Sequence, residues 1–407
     1  MATPDVRNGR GDVSTNLTSI EPVDAGVDVA VEVDRDDGRT GSWRSSVLAV
    51  LPAWITARAI VLLSLAFARY LVDHLHVTAP RAVRTVHAGL FAWDAAWYTD
   101  IARSGYEGVA RQGLRFFPLV PLVTRGLASI GFGTKPALLI VANGSAFVAA
   151  VLLYRLAWFE KREGALARRA VWLLAIAPPA FVFVMGYADA TAIALAIGAF
   201  FALRRRRWGW AALAALFLGA CRPTGCLLAV PAAIEAARGF STTTWWERVQ
   251  RGVAVVAAPA GMMAYLGWVG ARFGDVLLPF RVQQNPRLHG RFTNPFSTIR
   301  DAIDGAWHGH IGTALHVPWL VVLIALAVVL LMRWPAAYGA FALVTLAASS
   351  SSSNLDSLER YALGAFAFVL IGAALTDSPR VEQVVFTLSG VGLFAYSTLA
   401  FVGRLTP

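Results

Sequence analysis

The sequence predicts an all-α polytopic membrane protein, and three observations predict it. Hydrophobic residues make up 57% of the 407 residues and charged residues only 15%, with a mean hydropathy of +0.57. That balance is not the balance of a soluble globule. Several apolar stretches run to about 18–23 residues, enough to cross a hydrocarbon core of ~30 Å. Arginines gather in short blocks between those stretches, the pattern that orients membrane proteins. The net charge of +11 is therefore assigned to loops on one side of a bilayer and not to a nucleic-acid surface.

Residues 1–46 are polar and lack helical periodicity, so a disordered cytoplasmic tail is expected there. Its Asp34-Arg35-Asp36-Asp37 run imitates a D-x-D metal motif without a fold to hold it. No charged and then apolar leader is expected ahead of the first span. A membrane domain is expected over 47–407, beginning with a span at 47–72. A long polar and aromatic loop, 73–135, follows. Further spans are expected near 136–158, 170–187, 189–203, 209–221, 225–237, 252–271, 317–332, 335–348, 360–376 and 383–402, about eleven in all. A second large loop occupies 272–316. Residues 116–130 are expected to lie along the surface or to dip in and return, because Pro118 and Pro121 suit a straight span poorly.

Orientation follows from the basic blocks. The segment 155–169, the run Arg204–Arg207 and the cluster Arg238, Arg248 and Arg251 are expected on the cytoplasmic side. Parity then places 73–135, 187–189, 222–224, 272–316 and 349–360 together on the outer face. The seven histidines fall there too: His74, His76, His87, His289, His308, His310 and His316. Loops on one face of a rigid bundle are where function concentrates. Ionisable residues in turns between apolar helices are costly and point the same way. Only two lysines occur, Lys135 and Lys161, and this arginine bias suggests a GC-rich bacterial genome. The two cysteines, Cys221 and Cys226, make no disulfide framework.

The densest chemistry lies at Phe91–Tyr98, where Asp94 stands among Trp93, Trp97 and Tyr98. A carboxylate there can take a proton from a hydroxyl. Aromatic rings stack on sugars and also anchor at the headgroup level. An aromatic belt with one solvated acid is the competing reading, and His87 is the alternative base. Arg222 sits in a Pro- and Gly-broken turn, and Arg360 begins a span beside Tyr361. Guanidinium forks bind phosphate oxygens, so both are candidate phosphate ligands. Arg222 could instead cap helix carbonyls, and Arg360 could pair with Glu359 or snorkel. Arg281, Gln283 and Gln284 lie in the second large loop. His74-x-His76 and His308-x-His310 have metal-like spacing but no acid or Cys beside them. Ser349–Ser353 reads as a flexible loop.

The motifs together resemble the PIG-V type GPI mannosyltransferase family, including its bacterial members. The carrying residues run from Trp93-Asp94 through Trp97-Tyr98, Ile101-Ala102, Gly105-Tyr106 and Phe116-Phe117-Pro118 to Leu122. Weaker likenesses follow at Pro178–Phe181 with Tyr187-Ala188-Asp189, at Arg222–Gly225, at Phe273-Gly274-Asp275 to Gln284, and at Glu359-Arg360-Tyr361. Asp189 stands where that family usually has Glu. The resemblance implies a GT-C-like bundle and an inverting mannosyltransferase with Asp94 as base. It implies substrate contacts from Trp93, Trp97, Tyr98, Tyr187, Asp189, Arg222, Gln284, Arg360 and Tyr361. It also implies a polyprenyl-phosphate mannose donor, no divalent metal, and an active site on the outer face of a bacterial plasma membrane. A surface glycolipid or glycan would be the acceptor. The rival from another class is a transporter or flippase of lipid-linked glycans, and a catalytically silent scaffold that binds polyprenyl phosphate is a third reading.

Overall fold

The computed structural model describes residue 1 and residues 43–75, 81–284, 290–308, 316–353 and 355–406. All of these but Met1 belong to one compact unit. Its elements are helical, and among the described residues strand pairing is limited to an isolated bridge between Phe292 and Ser352. In chain order the helices are α1 (Trp43–Asp73), α2 (Ala82–Ala88), α3 (Asp94–Ser104), α4 (Leu119–Leu127), α5 (Thr134–Lys161) and α6 (Gly164–Ile176). Next come α7 (Asp189–Arg204), α8 (Trp208–Cys221), α9 (Ala229–Ala237), α10 (Trp245–Phe273), α11 (Leu278–Gln283) and α12 (Pro295–Trp307). The last are α13 (Val317–Arg333), α14 (Ala336–Ser349), α15 (Leu358–Leu363), α16 (Ala367–Leu375) and α17 (Pro379–Phe401).

Each expected span coincides with a helical segment, but their lengths differ. Among the described residues α1, α5, α10 and α17 are long and apolar enough to cross a membrane. The rest are shorter; the 16 residues of α7 cover about 24 Å at 1.5 Å per residue. Three expected spans are broken rather than straight. Pro178 and Pro179 turn 170–187 into α6 and a 3-10 turn over Pro178–Phe183, as proline does to a helix. The stretch 225–237 is a 3-10 turn running into α9, and 360–376 divides into α15 and α16. The tail expected over 1–46 falls outside the described residues as far as residue 42. The first helix already begins at Trp43, four residues earlier than hydropathy placed it. As expected, 116–130 is no straight span: α4 has 9 residues, then a wide turn over Ala128–Phe132, and it packs on α3 and α5.

The core forms around α7. This helix is apolar on every side and packs against α5 and α8, as a helix without a polar face must. α8 and α10 approach closely because Gly219 and Gly261 carry no side chain. A Cβ on Gly219 would sit 1.9 Å from the Ala258 carbonyl oxygen, and one on Gly261 2.0 Å from that of Leu216. The outer helices expose large apolar side chains such as Leu63, Trp210 and Val391, a surface compatible with a membrane protein. α7 also runs from the site end of the molecule, at Asp189, to the basic end, at Arg204.

Candidate active site

Asp94 is the first residue of α3, and the backbone just before it is unusual. Trp93 has φ +59°, a region that bulky residues rarely occupy and that clusters at functional sites. Two contacts hold it there. Its indole N–H donates to the Ala400 carbonyl at 3.0 Å, and the Arg81 guanidinium lies 5.6 Å over its ring. The Asp94 backbone N–H donates to the Tyr187 hydroxyl at 3.4 Å. The result projects the Asp94 carboxylate into the wall of a cavity of about 960 Å³. Trp93, Trp97 and Tyr98 line the same cavity. Trp97 stacks on Phe116 with ring centroids 5.9 Å apart, and Tyr98 meets Phe116 edge-on at 5.1 Å. Burial pushes the Tyr98 phenol well above its ordinary pKa, so it is a neutral hydrogen-bonding group at any working pH.

Behind Asp94 lies a buried ionic network. Arg360 Nη2 donates to Asp94 Oδ2 at 3.0 Å and to Asp189 Oδ2 at 2.8 Å, while its Nε donates to Asp189 Oδ1 at 3.1 Å. Arg222 Nη1 pairs with the same Asp189 Oδ1. Burial opposes the Arg222 charge, and the Asp189 carboxylate more than offsets it, so its pKa lies above the ordinary value. The Tyr187 ring lies 4.6 Å beneath the Arg360 guanidinium, and Tyr361 touches both arginines at 5.8 and 5.5 Å. One face of Asp189 thus holds together residues 189, 222 and 360, from three distant parts of the chain. Gly225 makes the Arg222 turn possible, since a Cβ there would meet the Leu218 carbonyl oxygen at 2.3 Å.

The sequence-selected residues divide into two layers. Trp93, Asp94, Trp97, Tyr98, Arg222, Gln284, Arg360 and Tyr361 line the cavity. Tyr187 is fully buried and Asp189 is 6% exposed, so both stand behind the wall and hold what lines it. Asp94 shares the cavity wall with Trp93, Trp97 and Tyr98, and it is also an ion-paired acid. Arg222 closes α8 through its backbone N–H, which donates to the Leu218 carbonyl at 3.2 Å, but its guanidinium goes to Asp189 and not to helix carbonyls. Arg360 turns to Asp94 and Asp189 and not to Glu359. Glu359 turns to His316, whose Nδ1 lies 2.7 Å from Glu359 Oε2.

Several contributors escaped sequence reasoning. Arg115 approaches Asp94 Oδ1 to 3.8 Å. Arg81, Arg84 and Arg291 also line the cavity. The serine run is not a flexible loop: Ser350 and Ser351 are buried, Ser349, Ser351 and Ser352 line the cavity, and the Ser351 carbonyl accepts from the Thr293 N–H at 3.1 Å. The only available signal was position, Arg115 standing directly before Phe116-Phe117-Pro118. His87 is exposed, and its Nδ1 lies 2.7 Å from the Val83 carbonyl of its own helix. His76, His289 and His310 lie outside the described residues. Arg281 is an exposed partner of Asp275 at 2.8 Å, away from the cavity.

Fold and site together define an all-helical protein with membrane-length helices and an arginine-rich cavity lined by the ion-paired Asp94 and by Asp100 and Asp356. The chain matches no protein-family model and no curated protein in sequence.

Proposed function

We propose that the cavity transfers a sugar, mannose being the sequence's suggestion, from a polyprenyl-phosphate donor to an acceptor hydroxyl with inversion. A surface glycolipid or glycan on the outer face of a bacterial plasma membrane is the acceptor, and about eleven segments of a GT-C-like bundle enclose the site. The observation that carries this reading is Asp94 in the wall of a cavity that Trp93, Trp97 and Arg222 also line, paired with Arg360 at 3.0 Å and approached by Arg115 to 3.8 Å. Those parts match the needs of the reaction. The acceptor O–H gives its proton to the Asp94 carboxylate. The acceptor oxygen bonds to the anomeric carbon as the bond from that carbon to the phosphate oxygen breaks. The electron pair leaves on the lipid phosphate, whose growing charge the guanidinium groups stabilise. Trp93 and Trp97 offer the sugar an aromatic platform.

Asp94→Asn tests the assignment. It preserves size and can still accept from Arg360, but it cannot take a proton. Turnover with polyprenyl-phosphate mannose should fall by roughly 10²–10⁴-fold, while the melting temperature of the purified variant stays close to wild type. A folded Asp94→Asn protein with near-normal turnover sinks the mechanism.

A further inference from the structure

The three arginines of the site are not equivalent. Arg222 and Arg360 are already committed to Asp189. Arg115 is not. Its nearest carboxylate contact is the 3.8 Å approach to Asp94 Oδ1, too long for a hydrogen bond. Its Nε is buried with no hydrogen-bond partner, a state that calls for an explanation in a folded protein. The guanidinium lies 4.6 Å over the Phe116 ring and lines the cavity.

The backbone around Arg115 is, by contrast, pinned on both sides. Tyr265 donates to the Leu114 carbonyl at 2.8 Å, and Tyr106 donates to the Phe116 carbonyl at 2.6 Å. Leu114 and Phe117 are buried in one apolar cluster with Tyr265 and Leu266. A fixed backbone carrying an under-used guanidinium at a cavity wall is a preorganised anion receptor.

We infer that Arg115 is the residue that grips the phosphate of the donor lipid, and that in doing so it leaves Asp94 Oδ1 open to the acceptor hydroxyl. The inference rests on the glycosyl-transfer reading and adds to it which arginine meets the leaving group. The donor phosphate is a diester with one negative charge. As the bond to the anomeric carbon breaks, it becomes a monoester and gains charge, so its contact with Arg115 strengthens toward the transition state. Before the donor arrives, Arg115 and Arg360 flank Asp94 on its two oxygens. Once the phosphate draws Arg115 away, Oδ1 is free to accept a proton while Oδ2 stays anchored on Arg360. Donor binding therefore precedes productive acceptor binding.

The test uses the full-length protein in detergent, with polyprenyl phosphate, inorganic phosphate and the uncharged polyprenol as probes. Binding is followed by calorimetry. Wild type should bind polyprenyl phosphate, and Arg115→Gln should weaken this by at least about tenfold, with Arg115→Lys between the two. Polyprenol affinity should not change with any of these variants. Asp94→Asn, which removes the acid competing for Arg115, should bind polyprenyl phosphate a few-fold more tightly. In an Arg115→Gln background the same Asp94→Asn change should give a smaller gain, since only Arg360 is then released from Asp94. Equal polyprenyl phosphate binding by wild type and a folded Arg115→Gln overturns the inference, as does absence of binding by wild type. Arg115-dependent binding of inorganic phosphate as tight as that of the lipid overturns the assignment to a lipid phosphate. The two readings also fail separately. Arg115-dependent lipid phosphate binding without any sugar transfer leaves this inference standing and removes the enzyme. Sugar transfer with unchanged donor KM and kcat in Arg115→Gln does the reverse.

Discussion

Helix α7 carries an ionic cluster at each end, and the two clusters are built from the same kinds of group. At its first residue, Asp189 holds Arg222 and Arg360, with Asp94 and Arg115 beyond. At its last residue, Arg204 holds Glu160 at 2.6 Å and Glu235 at 3.1 Å. Tyr338 donates to Glu160 at 3.0 Å, and Arg238 adds a second cation on Glu235 at 3.2 Å. The distal cluster balances two carboxylates against two guanidinium groups. The site cluster sets two carboxylates against three. The distal cluster lies away from the cavity, with the Glu160 and Glu235 side chains buried and Arg238 reaching solvent, whereas Asp94, Arg115, Arg222 and Arg360 of the site cluster line it. Burying charge is costly in either place. A charge-balanced set away from the cavity serves the fold, while a set with a surplus cation facing the cavity is built to meet an anion.

Matched substitutions put the largest strain on this contrast. Asp189→Asn and Glu235→Gln each take a carboxylate from two arginines, and each should lower stability by about 3 kcal/mol, the low end for breaking a buried pair. Only Asp189→Asn should also reduce turnover per folded molecule, by tenfold or more, because it releases Arg222 and Arg360 from their places in the wall. Chemical denaturation read beside steady-state rates separates the two. Equal turnover in the two variants would erase the distinction between the ends of α7.

How far the sequence reveals these clusters depends on the physics of each part. Apolar length located the helical segments because burial in a bundle or a bilayer demands it. Broken spans such as α15 and α16 were read as continuous because hydropathy does not register a local turn. Asp94, Asp189, Arg222 and Arg360 stood out as charges among apolar residues, yet their pairing was invisible, since Asp94 and Arg360 lie 266 residues apart. Arg115 looked like any loop arginine. The run Arg204–Arg207 read as a plain cytoplasmic block. α7 ends at Arg204 and the next three arginines form a turn; Arg204 is the one that pairs with Glu160 and Glu235. Nothing in a run of four arginines says which one does so.

A smaller effect sharpens the site end. Arg222→Lys keeps the charge on Asp189 but loses the planar fork and its position over Tyr361, 5.5 Å away. Stability should drop by about 1 kcal/mol, and donor KM should rise roughly tenfold with kcat little changed. A kcat loss larger than the KM change would instead place Arg222 at the leaving group, in competition with Arg115.

The smallest effect concerns the residue next to Arg360. His316, just ahead of α13, is buried, with its Nδ1 at 2.7 Å from Glu359 and its Nε2 at 3.8 Å from Asp356. Trp319, in the first turn of α13, donates to the Tyr396 hydroxyl at 2.8 Å, packing the same region from α17. Burial lowers the His316 pKa, but the Glu359 carboxylate, with help from Asp356, outweighs it, and the net shift is upward. The sign follows from linkage. A histidine whose folded pKa is raised contributes stability that is complete below its unfolded value of about 6.5. That contribution fades as pH rises through the folded value. Melting temperature should therefore decline as pH rises above about 6.5 through the raised folded value. His316→Gln should start lower and lose most of that slope. Because Glu359 precedes Arg360 on α15, the wild-type loss should be accompanied by a rise in donor KM, while the distal cluster, which contains no histidine, contributes nothing to the slope. A His316→Gln profile as steep as wild type would remove this pair as the source of the pH dependence.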